Sequence, residues 1–213
     1  MTEQEARAWM DAQFDVSRET WERLEAYVAM LLAEADEQNL IAESTKAHIW
    51  ARHIVDSAQL LTHAAWVDGE WMDLGSGAGL PGIVVACLRP DPLVMVESRR
   101  KRVAFLEQVI SALGLSNARV HGGRVEQVPA TPAAVISARA YAPLRKLLQS
   151  ALHLSDKNTL WVLPKGRNAE NELEAARPAW QGVFHVEPSV TDRESAIIIA
   201  RGVRPAGKRK HRP

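Results

Sequence analysis

The chain has 213 residues, 46% hydrophobic and 24% charged, enough for one α/β domain with a sizeable core, and this composition excludes wholesale disorder. Its single cysteine, Cys87, rules out a disulfide framework within the chain and suits a reducing compartment. Lys plus Arg and Asp plus Glu each number 26, so net charge is zero, yet acids crowd the first forty residues and only bases follow Glu194, an asymmetry that points to a polyanionic partner.

From the N-terminus, Met1-Thr2-Glu3-Gln4-Glu5 lacks the basic-then-apolar shape of a signal peptide, and no apolar run reaches the length of a membrane span. A cytoplasmic protein is expected. Trp21, Leu24, Val28, Leu31 and Leu32 recur at helical spacing behind an N-cap at Ser17. Ser44 and Thr45 precede a second such run, Ile49, Trp50, His53, Ile54, Ser57, Leu60 and Leu61. Residues 1–65 therefore read as a helical cap.

Strands and helices then alternate. Glu70–Leu74 is a short strand ending in a glycine turn, and Pro81 suits the first turn of a helix reaching Leu88. Leu93–Glu97 is a second buried-type strand, followed by a helix from about Arg99 to Leu113 with a stop at Gly114. Strands at Ala118–Gly122, Ala133–Ala138 and Leu160–Leu163 alternate with helices at Pro143–Leu154 and Ala169–Ala176. Phe184–Val186 and Ala196–Ala200 have no helix between them and read as an antiparallel pair at one side of the sheet. This alternation predicts an α/β, Rossmann-like, mostly parallel seven-stranded sheet with an antiparallel edge strand. It occupies residues 66–203 and leaves a basic tail at 204–213, all in one structural unit.

The segment Asp73-Leu74-Gly75-Ser76-Gly77-Ala78-Gly79-Leu80-Pro81-Gly82 carries most of the functional signal. Glycines let the chain turn sharply out of a strand and let a ligand approach the backbone. The helix that follows directs unpaired N–H groups and its positive end toward the same place. Glu97, at the end of the next strand and roughly 20 residues on, stands where an acid can accept the two hydroxyls of a ribose. That fits either a nicotinamide dinucleotide or S-adenosylmethionine. Asp73 separates the two: an acid beside the turn suits a cationic methionine amino group, directly or through water, and would be unhelpful beside a pyrophosphate. The chain also lacks room for the substrate domain usual in a dehydrogenase. S-adenosylmethionine is the expected cofactor and methyl transfer the expected reaction.

Six ordered stretches carry a resemblance: Trp50–Ser57, Asp73–Gly82, Glu97–Leu106, Gly123–Glu126, Ser137–Leu144 and Pro164–Gly166. In these the chain resembles the bacterial small-subunit ribosomal RNA guanine-N7 methyltransferases, also called glucose-inhibited division protein B. The resemblance implies a class I methyltransferase sheet with the last strand antiparallel. It implies cofactor contacts at Gly75, Leu80, Val125, Glu126 and Arg139, with Ser76, Gly77 and Gly79 in the turn and Glu97 at the ribose. It also implies 16S ribosomal RNA or the small subunit as partner, and N7 of a guanine as acceptor. Val125 stands where a smaller alanine is expected, and the tail from Gly207 to Pro213 lies outside the resemblance.

Guanine N7 is an unprotonated lone pair, so methylating it needs alignment and desolvation and no general base. His53, Asp56 and Ser57 share a helix face and either position the base and cofactor or, for His53 and Asp56, simply satisfy each other. Arg99-Arg100-Lys101-Arg102 opens a helix where bases oppose the dipole, which favours phosphate contact over a local structural role. Arg124, Arg139 and Lys165 sit at strand ends on the rim where ligands enter open sheets, Arg139 toward cofactor or RNA and Lys165 toward RNA. Most tryptophans read as core, Cys87 as a small buried hydrophobe, and no metal site is expected. A small-molecule methyltransferase, a nicotinamide-dependent oxidoreductase and a non-enzymatic RNA-binding module remain the alternatives.

Overall fold

The computed structural model describes residues 1–207; the basic residues from Lys208 onward, most of the expected tail, lie outside the described residues. Four helices come first: α1 (Glu3–Gln13), α2 (Arg18–Gln38), α3 (Glu43–Lys46) and α4 (Asp56–Ala64), with a π-helix at Trp50–Val55 running straight into α4. The sheet strands are β1 (Trp71–Leu74), β2 (Leu93–Glu97), β3 (Ala118–Gly122), β4 (Val135–Ser137), β5 (Leu160–Lys165), β6 (Trp180–Pro188) and β7 (Ala196–Pro205). Helices α5 (Gly82–Leu88), α6 (Arg100–Leu113), α7 (Leu144–Ala151) and α8 (Ala169–Ala176) connect them.

Local chemistry sets the boundaries. Ser17 caps α2 by accepting the Thr20 N–H at 3.2 Å, as its position predicts. Gly114 ends α6 in the left-handed conformation, φ +61°. Pro81 stands one residue ahead of α5. Strands β1 and β2 are buried at every position, which is what a parallel sheet covered on both faces demands of a central strand.

The strand order is β3-β2-β1-β4-β5-β7-β6, and β1 pairs in parallel with both β2 and β4. β7 runs antiparallel to β5 and to β6, so the reversed strand is the last in the chain, as expected. It stands one place in from the margin, with β6 outermost. Pairing of Arg204 with Gln181 and of Pro205 with Trp180 carries β7 beyond residue 203, so the first two residues assigned to the tail belong to the sheet.

Each face of the sheet has its own core. One joins α4, α5 and α6 to the sheet and takes in Met10 of α1 and Leu24, Tyr27 and Leu31 of α2. The other is built from α7 and α8 with Leu144, Leu147, Trp161 and Trp180. The first sixty residues are therefore packed into a shared core. Strand order reverses direction of travel between β1 and β4, and in an open α/β sheet a crevice for ligands opens at that switch, outside the carboxyl ends of the strands.

Candidate functional site

The loops after β1 and β4 flank this crevice. After β1, Gly75 and Gly79 both take φ values closed to most side chains, +69° and +94°. A Cβ on Gly75 would stand 2.6 Å from Cδ2 of Tyr141, so the Tyr141 ring lies directly over the Gly75 backbone.

Three side chains brace the turn. Glu97 accepts the Gly77 N–H at 3.0 Å and the Arg99 N–H at 2.8 Å, tying the turn to the start of α6. Tyr27, from α2, donates its hydroxyl to the Ala78 carbonyl at 2.9 Å, and burial pushes that phenol far above its ordinary pKa. Asp73 accepts the Ser137 hydroxyl at 2.8 Å and the Gly82 N–H at 3.3 Å, and Ser137 in turn accepts the Trp71 indole N–H at 2.8 Å. Burial raises the Asp73 pKa, partly offset by these hydrogen bonds.

That placement narrows one expectation, that Asp73 holds a methionine amino group directly or through water. Asp73 is 0% exposed and its carboxylate is engaged under the turn, so it has no direct reach to a ligand's amino group. It holds β1, β4 and the first turn of α5 together. Ser76, Gly77, Gly79 and Leu80 belong to the same scaffold: Ser76 is 3% exposed, its hydroxyl bonded to the Asp73 carbonyl, and Leu80 is 3% exposed.

Above the turn lies a cavity of about 400 Å³ whose lining includes Gly75, Glu97, Ser98, Val125, Glu126 and Tyr141. Four of the expected cofactor residues therefore meet there. Arg99, Arg102 and Arg124 line the same cavity, while Arg100 and Lys101 are exposed on α6. Among the described residues none of these five bases forms an ion pair.

A second cleft, about 520 Å³, adjoins it on the far side of Ala140 and Tyr141 and is lined by Arg52, Asp56, Arg139, Lys165 and Asp192 among others. Here the π-helix matters, because it sets the angular positions of Arg52, His53 and Asp56. Arg139 reaches across to both of the latter, its Nη1 lying 3.2 Å from His53 Nδ1 and 3.3 Å from Asp56 Oδ2. His53 and Asp56 are thus satisfied through Arg139 and not by each other. His53 donates from Nε2 to Thr45 Oγ1 at 2.8 Å, whose own proton goes to the Ala42 carbonyl. Burial, reinforced by the Arg139 and Arg52 charges, pushes the His53 pKa down to about 3, so the ring is neutral and Nδ1 accepts from Arg139.

Ser57 does not join this group. It is 0% exposed and its hydroxyl donates to the His53 carbonyl at 2.7 Å, inside the π-turn, which corrects the expectation that it faces the ligands. Lys165 is also redirected. Its ammonium, on a side chain only 9% exposed, is held by Glu172 at 2.8 Å and the Ala142 carbonyl at 2.9 Å. That argues against the phosphate contact expected of it; it anchors the loop after β4.

Several contributors were invisible at the level of motifs. Glu3, in α1, accepts the Trp50 and Ala51 N–H groups at 3.0 and 3.1 Å, capping the π-helix from 47 residues away. Arg7 lies over the Trp50 ring at 4.1 Å. From the β6–β7 loop, Asp192 pairs with Arg52 at 3.1 Å and Thr191 donates to Asp56 at 3.0 Å. For Tyr141 there was a signal, an aromatic just past the strand β4 end that faces β1.

Residues 20–196 match the family model described as GidB, rRNA small subunit methyltransferase G. The chain belongs to this family. Among relatives named ribosomal RNA small subunit methyltransferase G, that of Rhizorhabdus wittichii is 53% identical over 211 residues, covering 98% of this chain and 96% of its own. That of Erythrobacter litoralis is 50% identical over 202 residues, covering 94% and 97%. Membership makes the chain a methyltransferase. In fold it is similar to the glycopeptide N-methyltransferase MtfA complexed with S-adenosylmethionine, with TM-score 0.59, 10% identity, and coverage of 70% of this chain and 93% of that one. It is likewise similar to a mutant of MtNAS in complex with S-adenosylmethionine, with TM-score 0.59, 15% identity, and coverage of 84% and 74%. These likenesses show the fold; family membership removes the oxidoreductase alternative. α1, with Glu3 and Arg7, precedes the stretch matched by the family model.

Proposed function

We propose that the protein transfers a methyl group from S-adenosylmethionine to N7 of a guanine in 16S ribosomal RNA of the small subunit. One observation carries the reading: a cavity bordered by Gly75 of the glycine turn and by Glu97 adjoins a polar cleft across a single loop. Its volume of about 400 Å³ falls within the roughly 300–1,000 Å³ of small-molecule sites. Glu97 is 5% exposed, and its two accepted N–H bonds leave lone pairs for the ribose hydroxyls. Val125 and Glu126 would border the adenine, and Gly75 the methionine end.

When bound, the donor supplies an electrophilic methyl on a sulfonium. The protein's part is placement. Asp73, Ser137 and Tyr27 hold the turn rigid, and Arg139 ties the loop after β4 to the π-helix. The described residues around the cleft hold no exposed, basic imidazole: His53, 8% exposed, is neutral and hydrogen-bonded on both nitrogens. That suits an acceptor with no proton to lose. Asp56 and Asp192 are paired with Arg139 and Arg52 in the cleft, so they orient its wall more than they add negative charge where the base becomes cationic. Arg99, Arg100, Lys101, Arg102 and Arg124 form the phosphate-facing edge, and activity is expected to fall steeply with added salt. No described helix is long and apolar enough to cross a membrane; a chain whose single cysteine is free and buried fits a cytoplasmic protein.

The test is labelled-methyl transfer to small subunits from a strain lacking this protein, compared with naked RNA and small metabolites, followed by mass mapping of the product. One 7-methylguanine in 16S RNA is expected. Label in metabolites alone would overturn the reading in favour of a small-molecule enzyme.

A further inference from the structure

The two cavities have one aromatic side chain in common. Tyr141 lines both, and its ring lies over Gly75. Any group passing from a donor above the glycine turn to an acceptor in the cleft travels beside that ring.

The loop is fixed on either side of it. Arg139 is held by His53 and Asp56, and the Ala142 carbonyl is held by Lys165, itself paired with Glu172. Between these anchors Ala140 takes φ +52°, a left-handed conformation that an alanine rarely adopts. Strain of this kind persists only where its surroundings impose it, and it gathers at ligand clamps. Among the described residues the Tyr141 hydroxyl makes a single long hydrogen bond, 3.3 Å to Ser150, and that weak tether leaves the ring as the part of the side chain that matters.

We propose that Tyr141 is a catalytic residue in the sense of touching the substrate: its ring is the face on which the target guanine stacks while it accepts the methyl group. This rests on the donor site of the preceding subsection. The N7 lone pair forms the new C–N bond as the C–S bond breaks, its electron pair going to sulfur. No proton moves, and the base is left with a positive charge. An aromatic face attracts that charge more strongly than it attracts the neutral base. The stack is therefore tighter in the transition state than before it, which is the condition for raising rate and not just affinity.

The experiment compares single-turnover methylation of small subunits at saturating donor for the parent, Tyr141→Phe and Tyr141→Leu. It adds Tyr141→Phe proteins whose ring carries one, two or three fluorines, and calorimetry gives donor affinity for each. Tyr141→Phe is expected within about threefold of the parent, whereas Tyr141→Leu is expected roughly 10- to 100-fold slower, the range for losing one base–aromatic stack. Saturating donor, checked against the measured affinities, separates loss of the stack from any change in donor binding at a residue that also lines the donor cavity. Fluorines withdraw charge from the ring at nearly constant shape, so the rate should fall with each one added. A leucine variant at parental rate overturns the proposal. So does a slow leucine variant with a flat fluorine series, which would assign Tyr141 to packing alone. Failure of the parent to bind the donor would instead remove the donor-site reading.

Discussion

Acidification perturbs His53 in a direction and by an amount that the structure defines. The ring is 8% exposed, faces the Arg139 guanidinium through Nδ1, and has its pKa pushed down to about 3 from an ordinary 6.5. Above pH 6.5 it is neutral folded or unfolded, and its contribution to stability is complete. Below 6.5 the unfolded chain takes up a proton that the folded chain refuses, and stability is lost until the pH passes the folded value near 3. The loss approaches about 1.4 kcal/mol per pH unit, or roughly 2 kcal/mol between pH 6.5 and 5. Against a total stability of about 5–15 kcal/mol that is a large fraction. Urea unfolding of the parent and of His53→Gln at several pH values from 7.5 to 5 isolates the effect, because every other titrating group is shared. Asp73, raised by burial, acts in the opposite sense: its contribution is complete below the ordinary carboxylate pKa and is lost as the pH rises through its folded value. The parent curve should fall more steeply than the variant's by about 2 kcal/mol at pH 5. Parallel curves would mean that the ring is solvated or already charged, and the Arg139–His53 contact would have to be abandoned.

Glu97→Gln should bind donor at least tenfold more weakly and unfold earlier, since an amide turns one N–H donor toward Gly77 or Arg99; donor affinity by calorimetry equal to the parent's would remove Glu97 from the ribose site. Glu3→Ala frees two N–H groups of the π-helix, a loss of about 2 kcal/mol in net terms. Melting should fall by roughly 4–8 °C with donor affinity intact, and an unchanged melting point would show that the cap is not formed in solution. Gly75→Ala drives a Cβ to 2.6 Å from the Tyr141 ring at a φ of +69°, so donor binding should drop more than tenfold in the same calorimetric assay.

What could be read from the sequence followed from local chemistry. Strand and helix alternation after Glu70 foretold the parallel sheet, and the glycine turn with Glu97 foretold the cavity, because each depends on residues close in the chain. Long-range pairing was not legible. Whether Asp73 faces a ligand or the interior is decided by Ser137, 64 residues on, and whether Lys165 is free is decided by Glu172 and the Ala142 carbonyl. Helical spacing placed His53, Asp56 and Ser57 on one face, but the π-turn changes their angles, and only His53 and Asp56 converge on Arg139. The extra length of β6 and β7 at their outer ends comes from pairing of Trp180 and Gln181 with Pro205 and Arg204, residues that carry no strand pattern of their own.

A crystal structure of the protein with S-adenosylmethionine is the most direct trial of the site. Adenine should lie against Val125 and Glu126, both ribose hydroxyls should bond Glu97, and the sulfonium methyl should point past Tyr141 into the cleft lined by Arg52 and Asp56. Donor density in the cleft with the Gly75–Glu97 cavity empty, or a methyl directed away from Tyr141, would contradict it.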